Sequence, residues 1–301
     1  FNPGPTSERL ILDKLFYQFC RFLLASITLV FIFDGPGRPP IKRGTRVIYR
    51  PDSLEQKIKA MITAFGYHFY DAPGEAEAEL AQLNQNGEID AIITDTFVFG
   101  AQCVIRTPSV EDDSEFYTAD ALQGTLALDQ NGLVLCALLL GGDYDLGVKG
   151  AGPTVARALA AEGYGGELAG ILRLYKGPEL SHHLAIWRAK LRQELRTNPS
   201  GRLAKCQPKL ADNIPDTFPN IEVANLYLNP LTSRSVGFTG TKPNTQLWKP
   251  IEPLIPTLSA FCSAQFGWYG DDLLKRLNSN LWPGVIFRML SSVGKKPYSL
   301  E

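Results

Sequence analysis

A chain of 301 residues with 45 % hydrophobic and 10 % aromatic content can bury one large core or two smaller ones. No apolar run reaches the ~18 residues of a membrane span, so no membrane partner is expected. The five cysteines form no CxxC pair and the three histidines no HxxxH or HExxH pattern, which argues against zinc-type chemistry. The net charge of −1 conceals a division: residues 1–146 carry 11 Lys+Arg against 20 Asp+Glu, net −9, and residues 147–301 carry 19 against 11, net +8. Such polarity points to polyanion binding by the second half. The opening Phe1-Asn2-Pro3-Gly4 has neither Met nor a signal-peptide pattern and is expected to follow an omitted segment.

In chain order, Glu8–Leu24 repeats apolar residues at three- and four-residue spacing and predicts an amphipathic helix. Ile27–Phe33 is β-branched and aromatic, predicts a buried parallel strand, and ends at Asp34-Gly35-Pro36-Gly37. A second helix is expected near Leu54–Phe65, a short strand near Tyr67–Tyr70, and a third helix from Glu75. Ile89–Thr94 predicts another strand, ending at Asp95, and the apolar run Leu133–Leu140, of either type, ends at Gly141-Gly142-Asp143. Strands alternating with helices predict an α/β fold with a mostly parallel twisted sheet and flanking helices. Beyond residue 146 the sequence is helical and basic to about Leu210, then Pro-rich and irregular from Ile214 to Pro256, then helical again.

In parallel sheets a site lies beyond the carboxyl ends of the strands. Asp34, Asp95, Glu75 one loop later, and Asp143 after the fourth apolar run are therefore expected to converge on one edge. Carboxylates held together in this way suit Mg2+, a hard cation that takes oxygen ligands, and two such ions can assist phosphodiester hydrolysis. Taken singly, each acid has an ordinary explanation: Glu75 and Glu77 favour a helix start, and Asp-Gly-Pro-Gly is turn sequence. Their joint occurrence favours a metal site. Glu75 and Glu77, at i and i+2, do not share a helix face, so one would act directly and the other through water.

The segments Phe31–Gly35, Ala72-Pro73-Gly74-Glu75-Ala76-Glu77-Ala78 and Leu140-Gly141-Gly142-Asp143-Tyr144 resemble, in this order, the signatures of the flap-endonuclease/XPG nucleases. Asp34–Pro40, Gly100-Ala101-Gln102 and the two glycines before Asp143 look most like the branch that resolves Holliday junctions, as found in fungi. The resemblance implies a PIN-like nuclease core that cuts branched DNA with Mg2+, by direct attack of water without a covalent enzyme intermediate. Asp34, Glu75, Glu77 and Asp143 match the family's metal-binding acids, with Asp145 accessory. Lys42, and more weakly Arg43, resemble the basic residue that contacts the scissile phosphate. Two departures stand out. The family's early N-terminal aspartate precedes this chain's first residue. The cluster around Asp95 (Ile93-Thr94-Asp95-Thr96-Phe97) is a few residues short of the family's pattern, read here as an omission from the sequence.

Gly147-Val148-Lys149-Gly150-Ala151-Gly152-Pro153-Thr154 reads as a turn opening a helix, with Pro153 at its first position and backbone N–H groups suited to phosphate. Gly150 and Gly152 allow close approach, and Lys149 adds charge. In the resemblance this is the helix–two-turn–helix that grips duplex backbone with help from K+. Arg173–Lys209 adds further bases, Arg188 and Arg192 among them, for phosphate contacts that carry affinity but little sequence information. Trp187, Trp248, Trp268, Tyr269 and Trp282 are expected to pack rather than to stack on bases. The expected organisation is a nuclease core over 1–146, a helix–two-turn–helix and basic region over 147–213, and a segment packing back over 214–301. The expected activity is resolution of four-way junctions and cutting of 5′ flaps, in the nucleus, by a homodimer formed on the junction. The alternatives are a dedicated 5′-flap endonuclease or 5′-exonuclease, a related nuclease that cuts RNA, and a junction-binding scaffold with an incomplete acid site.

Overall fold

The computed structural model describes residues 5–25, 27–42, 45–46, 53–94, 96–106 and 114–293. In chain order the elements are α1 (Pro5–Phe22), β1 (Val30–Phe33), β2 (Ile41–Lys42), β3 (Thr45–Arg46), α2 (Ser53–Ala64), β4 (His68–Asp71) and α3 (Ala76–Gln85). After a 3-10 turn at Phe97–Phe99 come β5 (Cys103–Arg106), β6 (Glu115–Thr118), α4 (Ala119–Leu126), α5 (Gln130–Leu140), α6 (Pro153–Ala161), α7 (Tyr164–Leu174) and α8 (Gly177–Thr197). The chain closes with α9 (Pro208–Asn213), α10 (Ile221–Leu228), a 3-10 turn at Thr245–Leu247, α11 (Ile255–Phe266), α12 (Gly270–Asn280) and α13 (Trp282–Val293). This is a helix-rich α/β arrangement with few, short strands.

Two compact units form, one from residues 1–33, 50–70 and 243–301, the other from 34–49 and 71–242. Each is assembled from separated stretches, whereas the segments expected from sequence were contiguous. In the first unit Leu12, Phe16 and Phe19, one apolar stripe of α1, with Leu23 just after it, pack against Met61, Ile62 and Phe65 and against Leu258, Cys262 and Phe266. Phe16 sits edge-on to Phe65 at 5.5 Å and to Trp268 at 5.4 Å, the arrangement aromatic quadrupoles prefer. The second unit is built round α5, whose Leu135, Leu138 and Leu139 meet Leu159 of α6, Leu168 and Leu172 of α7, and Trp187 of α8.

The sheet is smaller than expected. Among the described residues the strands form three separate two-stranded sheets, the pair β1–β4 and the antiparallel hairpins β2–β3 and β5–β6. Ile89–Thr94 is not a strand; Ile92 alone bridges Val104, in parallel. The run Leu133–Leu140 is helix α5, started by Asp129, whose carboxylate accepts the Gly132 N–H at 2.7 Å. Glu75 is the N-cap of α3 rather than its first turn. The segment read as irregular holds α10, capped by Asn220, which accepts from the N–H groups of Glu222 and Val223. The cysteines are free; Cys20 and Cys262 are core residues, while Cys136 is half-buried.

Candidate metal centre

All the described acids of the predicted site lie in the second unit. Asp34 opens the turn that follows β1. That turn is fastened to the one preceding α3: the Gly35 N–H donates to Gly74 O at 2.6 Å, and the Gly37 N–H to Pro73 O at 2.9 Å. A Cβ on Gly35 would overlap the Ala72 carbonyl, so the approach requires glycine. Asp34 Oδ1 accepts from the Ala76 N–H at 2.9 Å, so the first helical N–H of α3 is satisfied from another segment while the N-cap Glu75 makes no cap bond. Its other oxygen, Oδ2, pairs with Arg38 at 3.0 Å.

Glu75, thus released from capping, is only 5 % exposed. Lys42, on β2, pairs with Glu75 Oε1 and reaches Asp143 Oδ2 at 3.7 Å. Burial raises the Glu75 pKa; the Lys42 charge opposes the rise, and the charges of Asp34 and Asp143 add to it. Glu77 is raised by burial too, against Lys42 and with the fields of Glu75, Asp143 and Asp34. For Lys42 burial favours loss of the proton, but its bond to Glu75 and the fields of Glu75, Asp34 and Asp143 outweigh that, and its pKa is raised. The four acids therefore share one electrostatic neighbourhood with Lys42.

Asp143 lies on the loop after α5, not after a strand. Gly141 and Gly147 close this loop with φ of +86° and +76°, a backbone state that side chains disfavour. Gly142 N–H donates to Asp145 O at 2.9 Å and Val148 N–H to Leu139 O at 2.8 Å. Asp145 accepts from the Leu146 N–H at 2.6 Å, a local turn bond. Asp95 and Arg43 lie outside the described residues. Among the described residues no three His, Cys, Asp or Glu side chains lie close enough together to hold one ion.

Residues 66–143 match the family model of the XPG I-region. The DNA repair protein RAD2 of Saccharomyces cerevisiae is 29 % identical over 220 residues, covering 71 % of this chain and 19 % of that protein. Human Flap endonuclease GEN homolog 1 is 41 % identical over 175 residues, 49 % of this chain and 19 % of that one. A solved eukaryotic junction-resolving enzyme GEN-1, described as binding with cesium, has a TM-score of 0.74 and 32 % identity over 93 % of this chain and 66 % of its own. The chain belongs to the flap-endonuclease/XPG family. It spans about a fifth of the length of the curated relatives it matches.

In this XPG-family chain the predicted phosphate turn precedes α6, with Gly152 as N-cap and Pro153 inside the first turn. Lys149, Gly150 and Thr154 are exposed, Gly147 and Gly152 half-buried. Gly150 has a φ of +93°, and the Asn213 side chain donates to Lys149 O at 2.9 Å, tying the turn to the end of α9. A Cβ on Gly152 would meet no neighbour within the chain, so its surroundings are open. Arg188 and Arg192 have structural engagements: Arg188 Nε donates to Phe218 O at 2.7 Å, and Arg192 to Ile214 O at 2.6 Å and Asp216 at 2.8 Å. They latch α8 to residues 214–218, a role that charge counting does not reveal. Trp187 and Trp268 are core residues, whereas Tyr269 is exposed.

The raised acids carry a pH signature. In metal-free protein the folded chain holds protons on Glu75 and Glu77 more tightly than the unfolded chain does. The stability this contributes is present below the ordinary carboxylate value of 4.5 and is lost as pH rises through the raised folded pKa values. The Lys42 contribution fades only above 10.5, outside that window. In EDTA, wild type is expected to lose thermal midpoint relative to Glu75→Gln/Glu77→Gln, by a few degrees, as pH rises from the ordinary carboxylate value of 4.5 toward neutrality. A midpoint difference that stays constant across this range would refute the shift.

Proposed function

We propose that this chain is the nuclease part of a structure-selective DNA endonuclease. It would hydrolyse phosphodiesters at branch points, resolving four-way junctions and cutting 5′ flaps, with Mg2+ held by Asp34, Glu75, Glu77 and Asp143. The observation that carries this reading is the gathering of those four acids, from three separate turns, around the Lys42 ammonium. The donor set is all oxygen, and its burial raises the cost of negative charge that a cation would relieve, so the residues fit Mg2+. Mg2+ keeps several waters and takes substrate phosphate among its ligands, so one or two direct carboxylates suffice to hold it. When bound, a pair of such ions supplies an activated water and neutralises charge on the leaving oxygen.

The chain's own groups do the rest. Lys42, half-buried between Glu75 and Asp143, is placed to give its N–H donors to the scissile phosphate. Asp34, held by Arg38 and the Ala76 N–H, fixes the orientation of α3. Lys149 and the N–H groups at the start of α6 hold duplex phosphate, which gives shape selectivity with little base readout. K+ at that turn, action as a homodimer on a four-way junction, and a nuclear location complete the proposal. Relatives support it: another solved GEN1 structure, at 32 % identity and TM-score 0.71, is described as a Holliday junction-resolving enzyme with product DNA, Mg2+ and Mn2+.

The test is a four-way junction labelled in each strand in turn, incubated with the chain in Mg2+ or in Ca2+, beside a 5′-flap duplex. Paired nicks at symmetric positions, dependent on Mg2+, are the expected result. Tight junction binding without any cleavage would leave a scaffold, and flap cutting alone would leave a flap endonuclease.

A further inference from the structure

The acid-bearing turns come from three places in the sequence, and one segment touches all of them. Tyr227, on α10, is buried, and its hydroxyl lies 2.6 Å from where a Cβ on Gly142, the residue before Asp143, would stand. Its ring meets Tyr144 at 4.8 Å and Phe99 at 5.7 Å, which fixes it within the core of the unit. Four residues on, the Leu231 carbonyl lies 2.7 Å from a Cβ built on Gly74, the residue before Glu75. The Leu231 side chain lies 2.5 Å from a Cβ built on Gly37, in the turn after Asp34. Ser233 then grips α3 itself: its N–H donates to Glu79 Oε2 at 2.8 Å and its hydroxyl to Oε1 at 2.5 Å, both residues being 0 % exposed. Arg234 adds two bonds to Glu88, just beyond α3, at 2.6 and 2.8 Å.

The geometry points to residues 227–233 as a positioning clamp that sets the spacing of Asp34, Glu75 and Asp143 for metal. Gly37, Gly74 and Gly142 are the points where the clamp bears on the three turns, and each lacks the side chain that would hold it off. The buried Glu79 carboxylate, which the metal reading does not use, is explained as the clamp's anchor: two donors compensate its loss of water. Clamp and site belong to the same unit, so its action needs no movement between units. This inference rests on the metal-binding reading above.

Direct Mn2+ binding to the whole chain, read by electron paramagnetic resonance, tests it together with junction binding in Ca2+. Tyr227→Phe keeps the ring and Ser233→Ala removes one anchor bond. Each is expected to weaken Mn2+ about 10-fold, the usual scale for groups that orient metal ligands. Junction affinity should stay within two-fold (~0.4 kcal/mol at most, too little for a lost phosphate contact), and Ser233→Thr should restore metal binding. Gly142→Ala should weaken Mn2+ as well, and adding Tyr227→Phe to it should cause no further loss, because the Cβ and the hydroxyl compete for one space. Folded variants that bind Mn2+ as wild type does would overturn the clamp while leaving the metal reading intact. If Ser233→Ala does not fold, the Gly142/Tyr227 pair decides in the same way. A wild type that binds no Mn2+ would overturn the metal reading and the clamp with it.

Discussion

Glu75→Gln and Asp143→Asn should each lower junction cleavage by about 10³-fold, with junction binding unchanged. The two effects separate because they arise in different halves of the charge distribution. Affinity for a branched duplex comes from phosphate contacts and scales with cationic groups such as those around α6. Cleavage depends on negative groups that hold Lys42 and, in the proposed reading, Mg2+. Both substitutions keep side-chain volume and remove one charge from the shared neighbourhood of Asp34, Glu75, Glu77, Asp143 and Lys42. Glu75→Gln also exchanges a buried, disfavoured carboxylate for a neutral amide. The metal-free variant should therefore be no less stable than wild type at neutral pH, the usual trade between stability and activity. Single-turnover cleavage at saturating enzyme, with binding measured in Ca2+, checks both. Residual cleavage above a tenth of wild type in either variant would remove that acid from the site.

Much of that site was legible because its residues are written as local signals. Asp34 follows an apolar strand, Glu75 a Pro-Gly turn, and Asp143 two glycines, and the fold does bring them together. The identity of the element before Asp143 was not legible. Leu133–Leu140 is apolar on all sides and has no period to distinguish strand from helix; only burial among α6, α7 and α10 decides it. Ile89–Thr94 has strand composition, yet only Ile92 finds a partner. Arg188 and Arg192 show the limit of charge counting. Their sequence neighbours make them part of a basic helix, while their hydrogen bonds go to carbonyls more than twenty residues away. Tyr227 and Ser233 carry no motif at all. Their significance lies in contacts across 83 and 154 residues of sequence, with Tyr144 and Glu79, which periodicity cannot register.

Trp187→Ala should destabilise the second unit by about 3–5 kcal/mol, a large part of the ~5–15 kcal/mol that holds a typical domain together. The indole is 0 % exposed, stacks on Phe218 at 6.0 Å, and donates its N–H to Tyr164 O at 3.1 Å. Truncation leaves a cavity and removes one bond to the Tyr164 carbonyl, and collapse is resisted by Leu184 and Leu191 on the same face of α8. Arg188 and Arg192 on the next turn hold the stretch that includes Phe218, so loosening the indole also loosens both latches. Trp187→Phe should recover most of the loss, since the stacking partner remains and only the N–H bond goes. Hydrogen exchange separates this from an effect on chemistry: α8 and residues 214–218 should lose protection together in Trp187→Ala, while α1 and α11, in the other core, keep theirs. Equal loss across both cores would mean that the two units unfold as one, and the indole would then be a keystone for the whole chain rather than for the basic helix alone.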